Sequence, residues 1–80
     1  MSFRIDDGPY DQVTLTLYTF SGRQIFRKVH LCNGEVEFDL TWDLRDRYLS
    51  LVGNGVYYAF IETKWQREVR RYKEKVVIIR

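Results

Sequence analysis

Residues 12–19 read QVTLTLYT, with Val13, Leu15 and Leu17 pointing one way and Thr14, Thr16 and Tyr18 the other. A period of two marks an extended strand that buries one face, because successive side chains leave a pleated backbone on opposite sides. Downstream, Ser21-Gly22 supplies a turn in which glycine takes positive φ without steric penalty. QIFRKVHL then resumes the extended pattern, with Ile25, Arg27, Val29 and Leu31 on one side. These residues predict a hairpin. Asn33-Gly34 is a strong two-residue hairpin signal, and EVEFDLTW beyond it alternates again, Val36, Phe38, Leu40 and Trp42 against Glu35, Glu37, Asp39 and Thr41.

From Asp43 to Asn54 the alternation fails, and DLRDRYLSLVGN reads as a long structured connection with room for a helical turn. VYYAFIET resumes the strand pattern at Val56, residues 64–67 form a tip, and EVRRYKEKVVIIR runs extended to the end. A helix competes over Trp65 to Lys75, yet no apolar stripe recurs there at spacings of three and four. Phe3-Arg4-Ile5, set apart by the sole proline, Pro9, reads as an edge strand. The expectation from these residues is an all-β chain of five or six short strands, an antiparallel sandwich or small barrel.

The 80 residues form one unit, residues 1–80, with 45% hydrophobic and 30% charged side chains, which suits a globular domain and not a disordered tail. No hydrophobic run, Val76 to Ile79 and Val56 to Ile61 included, approaches the roughly 18 residues that cross a bilayer as a helix. MSFRIDDGPY lacks the layout of a secretory signal, so the chain is expected to be cytosolic or part of a longer, already targeted protein. Five Phe, six Tyr and two Trp must supply much of so small a core.

Chemistry-bearing residues are sparse. Cys32 is the single cysteine and His30 the single histidine, so no internal disulfide forms and a zinc cluster is expected to lack partners. His30 has no GxSxG frame around it, and Asp43 and Asp46 lack an EF-hand spacing. Gly53-Asn54-Gly55 precedes a strand and not a helix, so it reads as a turn and not a phosphate loop. No catalytic, cofactor-binding or metal residue is assigned.

Charge is uneven. Residues 1–63 hold six basic groups against nine acidic ones, whereas residues 64–80 hold seven against two. In this basic ribbon Trp65, Arg67, Arg70 and Arg71 form the one constellation with binding chemistry: cations for an anionic ligand, nucleic acid or glycan, and a ring to stack on it. Competing readings are a solvated edge hairpin whose charges deter aggregation, and a ribbon that docks on an acidic surface of a neighbouring domain or protein partner. Nucleic acid is the least favoured partner.

The segment TWDLRDRYLSLVGNGVYYAFIE resembles the Ig-like C-terminal module of bacterial flagellar hook-capping proteins and of many secreted enzymes. Trp42, Asp43, Arg45, Asp46, Gly55, Val56 and Tyr57 fall in register with that pattern. Upstream, Ser21, Gly22, Arg23 and Ile25 match its hairpin, and KEKVVIIR is similar to its last strand. Leu44 and Leu49 stand where the family usually has glycine, and Gly53 where proline is common. Type IX secretion sorting domains are a less close relative. The resemblance implies a seven-strand Ig-like sandwich at the end of an exported bacterial protein, extracellular, periplasmic or at the cell surface, serving as a non-enzymatic structural, assembly or attachment module. On the residues themselves, Trp42 is a buried anchor, Asp43 and Asp46 brace the loop, Gly22 and Gly55 permit turns, and Tyr57 packs on the next strand.

Overall fold

A computed structural model describes all residues, Met1–Arg80. The chain is all-β, with β1 (Ser2–Ile5), β2 (Gln12–Thr19), β3 (Gln24–Leu31), β4 (Phe38–Thr41), β5 (Gly55–Trp65) and β6 (Glu68–Ile78). β1 pairs antiparallel with β4, and the other four form an antiparallel sheet in the order β3-β2-β5-β6. Eleven-residue β5 and β6 at about 3.3 Å per residue account for the 36 Å long axis of a molecule only 20 Å across.

The small sheet packs against one face of the large one. Phe3, Ile5 and Leu40 pack into one core with Val13, Leu15 and Leu17 of β2, Tyr57, Ala59 and Ile61 of β5, and Val76 and Ile78 of β6. Trp42, just past β4, is the largest fully buried side chain, 1% exposed, with Phe26 and Tyr57 rings 6.1 and 6.3 Å from it. Its indole N–H donates to Arg45 O at 2.9 Å, so the polar edge of the ring is satisfied where the apolar body is buried.

Two expectations change. First, β3 does not bury Val29 and Leu31. The β2–β3 register shifts between Leu17 and Tyr18, leaving Ile25 as an extra residue. A bulge of this kind puts two successive side chains on one side and inverts the alternation beyond it. Ile25 and Phe26 both face the core, while Val29 and Leu31 (76% exposed) turn outward. Second, Asn33-Gly34 does not close a hairpin: β3 ends in the large sheet and β4 pairs with β1 in the small one, so the turn carries the chain between layers. The backbone of Glu35 and Val36 bonds instead to Tyr10 and Gly8, at 3.0 and 2.9 Å. β4 therefore begins only at Phe38, and Val36 is exposed. Residues 43–54 form the connection after β4 and contain no helix; their only bridge joins Arg45 to Leu51.

Candidate binding faces of the sandwich

The corner after β4 is held by short side chains. Asp43 Oδ1 accepts from Arg45 N–H at 3.1 Å, and Asp46 Oδ1 accepts from Tyr48 and Ser50 N–H at 2.9 and 3.1 Å. Such Asx geometry folds a loop by replacing the backbone's own partners. Arg47 N–H then reaches Ile25 O at 2.9 Å and ties the corner to the bulge. Tyr57 is buried and its hydroxyl donates to Gly53 O at 2.7 Å. Gly22 and Gly55 have φ of 95° and 152°. Leu44 and Leu49 also take positive φ, 63° and 67°, a region that side chains avoid by about 1–2 kcal/mol. These residues shape the corner.

The residues singled out at the basic end do not form one surface. Side chains on β6 alternate, so Glu68, Arg70, Tyr72 and Glu74 face inward, opposite Trp65, Thr63, Ile61 and Ala59 of β5. The small sheet does not reach that far. An open groove of about 480 Å³ remains there, lined among others by Arg4, Asp6, Asp7, Tyr10, Trp65 and Arg70. Its lining holds two cations, Arg4 and Arg70, and four carboxylates, Asp6, Asp7, Glu68 and Glu74, so the groove is net acidic by residue count. Arg70 is held by Glu68 Oε1 at 2.9 Å, the main reason its guanidinium pKa lies above the usual value. Tyr10 lies against the same groove; burial, then the Tyr72 and Asp7 charges, push its phenol up. Arg67 sits at the exposed tip, and Arg71 is on the opposite face of the sheet, 2.9 Å from Glu62.

That opposite face carries a different constellation, which the sequence reading missed. Cross-strand neighbours bring Tyr18 of β2 beside Tyr58 of β5, and Thr16 beside Phe60. The Tyr18 and Phe60 rings meet edge to face at 5.2 Å, and Phe20 (73% exposed) stacks with Tyr58 at 6.4 Å. Lys73 Nζ lies 4.5 Å above Tyr58 and 5.9 Å from Phe60, within cation–π range. By register, Arg27, Lys64, Arg71, Lys73 and Lys75 share this face with one carboxylate, Glu62. The outer face is therefore an aromatic row with a cationic rim. Its sequence signal is the pair Tyr18-x-Phe20 and Tyr58-x-Phe60: polar-side positions filled by rings instead of small polar residues.

A third cluster lies beyond β3. His30 Nε2 is 3.0 Å from Glu35 Oε1, and Cys32 joins them, although the sequence reading expected its thiol to stand apart from other ligands. Burial first, then the carboxylates of Glu35 and Asp11, hold the Cys32 thiol pKa above its usual value.

No helix here is long and apolar enough to cross a membrane. No protein-family model, curated protein or solved structure matches this chain.

Proposed function

We propose that the chain is a non-enzymatic, Ig-like accessory module of an exported bacterial protein, which packs against a neighbouring domain or protein partner through the outer face of its large sheet. The observation that carries the packing role is the row Tyr18, Tyr58 and Phe60 on the two central strands with Phe20 just past β2, and cations around it. Rings on a rigid sheet lose little side-chain entropy on contact, and a cationic rim favours an acid-rimmed partner. The Ig-like assignment draws support from the corner: Leu44 and Leu49 adopt positive φ at the two positions where the hook-capping pattern carries glycine.

The test is site-specific photo-crosslinking in the parent protein. A benzoylphenylalanine at Phe20 is expected to cross-link to a discrete protein surface, whereas the same probe at Glu37, exposed beyond the small sheet, is expected to give none. Equal labelling from both positions, or none from Phe20, refutes the assignment.

A second reading, an anionic polymer on the same face, is favoured by the five cations. Against stacking of nucleic-acid bases, Lys73 already covers the Tyr58 ring. Titration with single-stranded DNA and a sulfated polysaccharide at low and moderate salt separates the readings. Polymer binding here requires a loss in Lys73→Gln/Lys75→Gln and none in Trp65→Ala, because Trp65 faces the acidic groove.

A further inference from the structure

We propose that His30, Cys32 and Glu35 form a three-ligand site for a divalent transition metal, zinc above all, with water or an outside ligand in the fourth position. Residues 30 and 32 lie two apart at the end of an extended segment, so both side chains leave on the same side. The Asn33-Gly34 turn, with Gly34 at φ 77°, swings Glu35 back against them. One nitrogen, one sulfur and one oxygen ligand atom all lie within 4.8 Å of one another, with His30 Nε2 and Glu35 Oε1 3.0 Å apart. Tetrahedral zinc with ordinary bond lengths needs nitrogen–oxygen and nitrogen–sulfur separations of roughly 3.3 and 3.6 Å, so side-chain rotations of about an ångström close the site.

The backbone that bears the ligands is fixed on both sides of the turn. Cys32 N–H donates to Asp11 O at 2.9 Å, Gly34 N–H to Tyr10 O at 3.2 Å, and Tyr10 N–H to Glu35 O at 3.0 Å. The His30 ring stacks on Phe38 with centroids 4.5 Å apart, which limits its rotation. Mixed sulfur, nitrogen and oxygen donors suit zinc and neighbouring borderline metals, and not calcium or magnesium, which take oxygen alone. His30 and Glu35 side chains keep 33% and 43% of their exposure, so a metal enters from solvent and leaves one position open.

Cobalt(II) reports on the site directly. Titrated under reducing conditions, the full chain is expected to bind one cobalt per molecule, with a thiolate-to-cobalt charge-transfer band and the intense visible bands of tetrahedral coordination, all displaced by zinc. Cys32→Ser is expected to abolish the charge-transfer band and weaken zinc binding at least a hundred-fold by calorimetry, with His30→Gln and Glu35→Gln each weakening it ten-fold or more. Should a variant misfold, zinc on the wild type is expected to slow alkylation of Cys32 by iodoacetamide more than ten-fold. Absence of the charge-transfer band, zinc affinity unchanged in folded Cys32→Ser, or alkylation indifferent to zinc each overturns the proposal.

Discussion

Replacing Leu49 by glycine is expected to stabilise the protein. Leu49 has φ 67° and its side chain is 74% exposed, so it combines a left-handed backbone with little burial to lose. A side chain in that region costs about 1–2 kcal/mol, and glycine's extra freedom in the unfolded chain costs roughly 0.5–1 kcal/mol. The difference favours Leu49→Gly by about 0.5–1 kcal/mol, and each 1 kcal/mol shifts the midpoint of a domain this size by roughly 4–8 °C. Melting followed by far-ultraviolet circular dichroism is therefore expected to move upward by about 2–8 °C. Leu49→Ala, which keeps the Cβ and its backbone penalty, separates relief of strain from removal of an exposed apolar side chain. It is expected to leave the midpoint near that of the wild type. Leu44, at φ 63°, packs partly buried against the core, so its glycine variant gains backbone freedom and loses contacts, for a net change near zero. A Leu49→Gly protein no more stable than Leu49→Ala refutes the reasoning.

At Gly8, an added Cβ would stand 2.6 Å from Glu35 O and 2.7 Å from Val36 Cα, both backbone atoms; Gly8→Ala is expected to lower stability by about 2–3 kcal/mol in urea titrations. Trp42→Phe keeps a ring between Phe26 and Tyr57 but loses the N–H that satisfies Arg45 O, and a loss of about 2 kcal/mol is expected on the same assay. Because the folded Tyr10 phenol holds its proton above the usual value, the folded chain stays protonated where the unfolded one has ionised. Stability is thus complete below about pH 10 and falls as pH rises beyond it. Tyr10→Phe is expected to be less stable at neutral pH, having lost the hydroxyl that donates to Asp6 O, but to show a flatter alkaline slope; equal slopes would exclude Tyr10 as the group.

The all-β class was legible in residues 12–19 and 56–78 because their hydrophobic alternation and their turns agree. The inward face of β2 follows from that alternation alone. β3 was misread because a bulge at Ile25 flips the parity of all that follows, and a bulge leaves no mark in the alternation of apolar and polar residues. Asn33-Gly34 specified a chain reversal, but which sheet the next strand joins is decided by β1, some thirty residues upstream, through Phe3 and Ile5. The meeting of Cys32 with Glu35 depends on backbone bonds to Tyr10 and Asp11, contacts distant in sequence that no local pattern encodes. The basic ribbon was visible as composition; its division between two surfaces required the β5–β6 register.

That division means neighbours in the chain are strangers in space. Arg70 and Arg71 sit side by side in sequence, yet one answers to a pocket of carboxylates and the other to Glu62 beside the aromatic row. Among close homologues, even-numbered positions from 68 to 74 should drift together with Asp6 and Tyr10, and odd-numbered ones from 69 to 77 with Tyr58 and Phe60. One ribbon of a dozen residues would then record two separate histories of selection.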